Sequence, residues 1–136
     1  MLADMTEISL LRPDGLVHSP AFSHVAVVPP GATTVYVGGQ DAVDADGNLV
    51  GGNDIVAQTR QVMANLATAL AAAGATVHDL VSVTVLIAER ADLARAYPVA
   101  AQALDGAVPT VLATRVAALG VPGALIEVSA VAAVFR

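Results

Sequence analysis

The closing segment ALIEVSAVAAVF, residues 124–135, constrains the fold more than any other stretch of this chain. Side chains alternate across a strand, so one row holds Ile126, Val128, Ala130, Ala132 and Val134. The other row holds Leu125, Glu127, Ser129, Val131 and Ala133. The first row is a core row. The second is still too apolar to face water, so the sheet containing this strand must be covered on both sides. The rest of the chain offers two helical segments, which can cover one face only. A second copy of the chain is the simplest cover for the other.

Upstream, residues 5–11 read as a first strand, turned by Pro13-Asp14-Gly15. SHVAVVP (23–29) and TTVYVGG (33–39) are two short β runs, and Pro29-Pro30-Gly31 between them reads as a hairpin. DADGN (44–48) is the next turn. Asn53 or Asp54 then caps a helix running to Gly74, with Ile55, Val62, Leu66 and Leu70 on one face. HDLVSVTVLIAE follows as a strand, with Val81, Val83, Val85 and Ile87 on one side and Ser82, Thr84 and Leu86 on the other. A shorter helix begins at ADLARAY, with Pro98 expected to kink or restart it. Two final strands, 110–119 and 124–135, are expected to meet at Gly120-Val121-Pro122-Gly123. The order ββ(β)αβαββ predicts an α+β fold with one mixed sheet and two helices on one face, in a single domain over residues 1–136.

Composition narrows the function classes. Only 13% of the 136 residues are charged and 56% are hydrophobic, which again points to apolar faces buried between subunits. A net charge of −6 and the lack of a basic cluster argue against a phosphate-backbone binder. The absence of cysteine removes disulfides, thiol nucleophiles and thiolate metal sites together. The N-terminus has no basic, apolar leader, and no apolar run spans a membrane, so a soluble cytoplasmic protein is expected.

Few residues suggest chemistry. His18, His24 and His78 lack ligand spacing, so no metal site is expected. Ser23 and His24 are strand neighbours and point to opposite faces, which excludes a nucleophile–base pair. Asp44-Ala-Asp46-Gly47 fails as a calcium loop, because Ala42 falls at the first ligand and Asn53 at the bidentate glutamate. Gly38-Gly39 and Gly51-Gly52 match no phosphate-loop spacing, and no cofactor is expected. Gly38-Gly39, followed by Gln40, marks a tight bend or a close ligand approach. Arg115 and Glu127 stand out in their apolar surroundings. If the last two strands form a hairpin, the two lie opposite one another as a cross-strand ion pair. The alternative places Glu127 in an interface pocket as an acid, base or water-positioning group.

Taken in order, these segments resemble the Rid family, the reactive intermediate (imine) deaminases formerly called the YjgF family. PAFSHVAVVPPG resembles its G-P-Y-S-Q-A-V segment, and VYVGGQDAVDADGNLVGG its S-G-Q…D…G-x-(L/I)-V block. DIVAQTRQVMANLATALAAAGATVHDLVSVTVLIAE matches most closely, carrying Gln58, Asn65, Leu66 and Gly74, and ALIEVSAVA resembles the closing I-E-I-E-A-I-A. The resemblance spans about residues 16 to 135. It implies a chorismate-mutase-like fold and a homotrimer with three clefts between subunits. It also implies hydrolysis of an enamine or imine to a 2-keto acid and ammonia. In that family an arginine of the P-A-R-S segment holds the substrate carboxylate, and the last-strand glutamate helps to place water.

The resemblance carries Glu127 over intact as the catalytic candidate, with Phe22, Gly39, Val111, Ala113 and Arg115 as substrate-binding candidates. It also marks a departure. Aligned from Pro109, the arginine position holds Val111, the pocket cysteine position Ala113 and the pocket tyrosine position Phe22. Arg115 lies two pleats beyond Val111, about 13 Å away at ~3.3 Å per residue, and does not replace the lost arginine. A Val/Ala/Phe-lined cleft with one carboxylate favours a more apolar ligand, or one without a carboxylate. The expected function is a homotrimer binding a small metabolite in its inter-subunit clefts, hydrolysing an imine or enamine with Glu127 placing water. A non-catalytic binding, regulatory or chaperone-like trimer is the alternative, and ribonuclease activity a distant third.

Overall fold

A computed structural model of the chain describes residues 6–136. The first expected helix forms as α1, Ile55–Ala72, and both of its ends are set by local chemistry. Asp54 is the N-cap, its side chain accepting from the Val56 N–H at 2.9 Å. At the other end Gly74 takes φ +72°. There the Gly74 and Ala75 N–H groups close back onto Ala71 O and Leu70 O at 3.0 and 2.9 Å. This left-handed stop favours glycine and satisfies carbonyls the helix would otherwise leave free.

The second helix, α2 (Leu93–Leu104), is capped by Asp92 and runs through Pro98 without a break. Pro98 and Ala94 are both exposed, so the Ala94 carbonyl that loses its helical partner stands open to water. Of the twelve residues of α2, Ala96 alone is buried. The helix therefore sits loosely on the sheet, unlike α1, whose Val62, Leu66 and Leu70 are fully buried.

The strands are β1 (Ser9–Leu11), β2 (Val25–Val27), β3 (Thr33–Gln40), β4 (Leu80–Ala88), β5 (Thr110–Val116) and β6 (Ile126–Val134). The last four form one mixed sheet in the order β3-β6-β4-β5. Both helices pack on one of its faces, as expected for this α+β class. On β6 the row Ile126, Val128, Ala130, Ala132 and Val134 is buried against them. Of the first expected strand, Met5 lies outside the described residues.

Two pairings and one strand register differ from expectation. β2 and β3 do not form a hairpin: β2 pairs with β1 as a separate two-stranded ribbon, and β3 pairs with β6. Nor do β5 and β6 form one. β4, α2 and β5 make a βαβ unit, so β5 runs parallel to β4, while β6 crosses to the far side of β4. The Gly120–Gly123 turn is part of that longer crossing. On β4 the register shifts between Leu80 and Ser82, and Leu80 rather than Val81 joins the core cluster with Val83 and Ile87, against which half-buried Val85 packs.

Two amides of α1, buried Gln58 and half-buried Asn65, lock loops in place. Gln58 Nε2 donates to Gly52 O and Gly123 O at 2.6 and 3.0 Å, and Gln58 Oε1 accepts from Leu125 N at 2.8 Å. Asn65 Nδ2 donates to Asp41 O and Val43 O at 3.0 and 2.9 Å, fixing the chain as it leaves β3. A buried amide left without such partners would destabilise the fold.

Candidate functional site

The loose seating of α2 leaves a cavity of about 390 Å³ between it, α1 and the sheet. Three sequence-identified residues line it: Phe22, Val111 and Ala113. Met63, Val83 and Tyr97 contribute to the same wall, and among the described residues no charged side chain does. Phe22 is delivered there by a strand-like contact. The Ser23 N–H donates to Pro109 O at 3.1 Å, setting the 20–24 segment along the start of β5. Arg12 Nε donates to Phe22 O at 3.1 Å, and the His24 ring stands edge-on to the Phe22 ring at 5.4 Å. His24 Nε2 lies 2.7 Å from Val17 O, which gives that histidine a structural occupation.

Glu127 is elsewhere. Register pairs Val83 with Val111, Val85 with Ala113 and Val85 with Val128, all on the helix-covered face. Glu127, one residue from Val128, projects from the opposite face beside Leu86. Its close neighbour is Gly39. Between Val37 and Gln40 the pairing of β3 with β6 slips, and this bulge brings Gly39 against the Glu127 carboxylate. A Cβ on Gly39 would lie 2.8 Å from Glu127 Oε2. A larger residue here would have to push that carboxylate aside.

The sequence reading missed Asp41. It follows β3 by one residue and continues the register that sets Gln40 beside Val128, so its carboxyl meets that of Glu127. Burial, then the Glu127 charge, then a hydrogen bond between the two carboxyl groups raise its pKa from the ordinary 3.8 to about 6. Asp41 Oδ1 is shielded from water and accepts no hydrogen bond. In the sequence Asp41 stands just ahead of the DADGN turn and passes for another turn residue. Only the strand pairing reveals its neighbour.

Arg115 and Glu127 do not pair. Arg115 lies beside Ile87 on the edge strand, and Glu127 beside Leu86 on β6, with β4 between them. Arg115 Nη1 instead donates to Ala91 O at 3.0 Å and Glu89 O at 3.4 Å, tying the start of the β4–α2 connection to β5. The candidate residues thus fall into three groups: Phe22, Val111 and Ala113 in the cavity; Gly39, Asp41 and Glu127 on the opposite face; and Arg115 at the sheet edge.

Comparison with known proteins agrees with this architecture. The family model for endoribonuclease L-PSP matches residues 16–134. A mouse (Mus musculus) 2-iminobutanoate/2-iminopropanoate deaminase is 34% identical over 100 residues, covering 73% of each chain. A RutC family protein of Pyrococcus horikoshii is 33% identical over 98 residues, covering 72% of this chain and 77% of its own. Among solved structures, YyfB of Yersinia pestis, a conserved Rid-family protein of unknown function, superposes with a TM-score of 0.82. It is 34% identical, over 93% of this chain and 98% of its own. The order of elements, the sheet topology and these matches agree: the chain belongs to the endoribonuclease L-PSP family, which includes the Rid proteins.

Proposed function

We propose that the chain works as a homotrimer that binds a small metabolite in clefts between subunits and hydrolyses an imine or enamine, with Glu127 placing the water. The observation that carries this reading is the split site. Within one chain Glu127 and Gly39 face away from Phe22, Val111 and Ala113, across the thickness of the sheet. A ligand that touches both groups needs two copies, one offering the carboxyl face and the next offering β5 and the Phe22 segment. The exposed apolar residues of the Glu127 face support such contact: Leu112 is 58% exposed and Tyr36 80%. The deaminase relatives make imine hydrolysis the reaction to test first.

In this cleft Glu127 accepts a proton from water as the water oxygen adds to the C=N carbon and the π pair moves onto nitrogen. Passing that proton to nitrogen lets the C–N bond break, releasing ammonia or an amine as the C=O forms. Gly39 lets substrate and backbone approach closely. Phe22, Val111 and Ala113 pack the hydrocarbon part of the ligand. Arg115 holds the edge of the cleft through its contacts to Glu89 and Ala91 rather than touching substrate. Carboxylate-free imines generated in situ by a flavin amine oxidase test the reading. Wild type should accelerate their loss, and Glu127→Ala should abolish that acceleration without changing the mass of the assembly. Unchanged turnover in the variant would remove Glu127 from the mechanism.

One observation favours a second reading, a binding module without catalysis. Among the described residues the cavity wall, Val111 included, carries no charged side chain to anchor a substrate carboxylate. Ligand-dependent stabilisation with no product would support it. An RNA substrate has the least support, because the net charge is −6.

A further inference from the structure

Two carboxyl groups meet where β3 ends, with no cation among the described residues to balance them. Asp41 is 8% exposed, and its shielded Oδ1 accepts no hydrogen bond. The chain contains six arginines and no lysine. Among the described residues none of these arginines contributes to the environment of Asp41, where Glu127 is the charged group that does. The other groups packed here are neutral: Leu86 beside Glu127 on β4, and Asn65 of α1 behind the Asp41 carbonyl. A buried carboxylate ordinarily finds a cation or several N–H donors, and without them it destabilises the fold.

This fold keeps the unbalanced pair in place. Asn65 grips the carbonyls of Asp41 and Val43, and Gly39 leaves the space that the Glu127 carboxylate fills. Glu127 is half-buried and reachable, while Asp41 sits behind it. We propose that this pair selects the ligand of the cleft: it takes the protonated nitrogen of an iminium or ammonium compound that carries no carboxylate. Glu127 makes the contact and Asp41, a positioning residue, adds a second negative charge from behind. The selection rests on the inter-subunit cleft and names its substrate class. A cation with a short hydrocarbon tail suits both ends, two acids at one and Phe22, Val111 and Ala113 at the other. A 2-imino acid would set its carboxylate against either valine or the two acids. Because Asp41 takes up a proton near pH 6, attraction for a cation is full above that pH and falls below it.

Calorimetric titration of the assembled chain with n-butylammonium, n-butyrate and n-butanol tests this directly. The ammonium should bind at least about tenfold more tightly than butyrate, and lose most of that advantage below pH 6. Asp41→Asn, nearly isosteric, should weaken ammonium binding by about tenfold and flatten its pH dependence, with the mass of the assembly unchanged. Butyrate binding as well as the ammonium, none of the three binding at millimolar concentration, or an Asp41→Asn variant indistinguishable from wild type would each overturn the proposal. If the variant does not fold, the wild-type comparison of ammonium with butyrate still decides. Glu127-dependent hydrolysis of 2-imino acids together with a preference for butyrate would sink this selection and leave the cleft reading standing. Ammonium bound at Glu127 without any imine hydrolysis would do the reverse.

Discussion

β5 and β6 look interchangeable as sequences: TVLATRV and IEVSAVAAV are both apolar runs broken by a single charge. In the fold they are opposites. β6 lies between β3 and β4, with one row buried under the helices and the other half-buried. β5 is an edge strand, and residues 111–115 are exposed on both its faces. The two charges follow suit. Glu127 is packed beside Asp41 and Gly39, whereas Arg115 is exposed and reaches sideways to backbone carbonyls. An apolar strand that stays uncovered does not serve its own chain's core. In the proposed assembly it is contact surface for another copy, and an unprotected apolar edge invites uncontrolled pairing.

The contrast breaks most sharply under truncation. Ile126→Ala in β6 should destabilise the fold by about 2–5 kcal/mol in denaturant unfolding, through lost burial and a cavity. Leu112→Ala in β5 should leave the isolated fold within about 0.5 kcal/mol of wild type. Equal losses at the two sites would erase the distinction. Leu112→Asp should then separate the subunits while the far-ultraviolet circular dichroism of the chain persists. An intact assembly carrying that aspartate would show that β5 is not contact surface.

A subtler change sharpens the β6 side. Gly39→Ala sets a methyl against the Glu127 carboxylate and should displace it, lowering turnover by about 10²-fold with little loss of stability. Wild-type turnover in that variant would mean the carboxylate position is unimportant. Titration offers a fourth test. The Asp41 pKa is raised in the fold, so the native state holds this proton more tightly than the unfolded chain does. Its stabilising contribution is complete below about pH 3.8 and lost as pH rises through about 6. Asp41→Asn removes that dependence, so its stability should gain on wild type across this window and run parallel above it. A constant difference at every pH would contradict the raised pKa. The smallest effect belongs to Arg115→Met, which forfeits two backbone contacts at an exposed edge and should cost under about 1 kcal/mol in unfolding experiments.

Alternation alone identified the buried row of β6, and the cap at Asp54 and the stop at Gly74 were readable because capping is local. Pairing was not local. Gly120-Val121-Pro122-Gly123 reads as a hairpin turn, yet the chain between β5 and β6 passes beyond β4, since β5 is already committed parallel to β4 by the helix joining them. That error carried the Arg115–Glu127 ion pair with it. Asp41 was invisible for the same reason: its chemistry comes from a residue 86 positions later in the chain. Phe22, Val111 and Ala113, by contrast, do line one cavity, because their segments lie side by side at the start of β5.

Sedimentation equilibrium of the 136-residue chain at micromolar concentration tests the central claim most directly. Three copies in one particle, at three times the 13.6 kDa chain mass, is the result expected if β5 and the far face of the sheet are covered by neighbours. A particle of 13.6 kDa would leave those faces bare, keep Glu127 apart from Val111, and contradict the shared cleft.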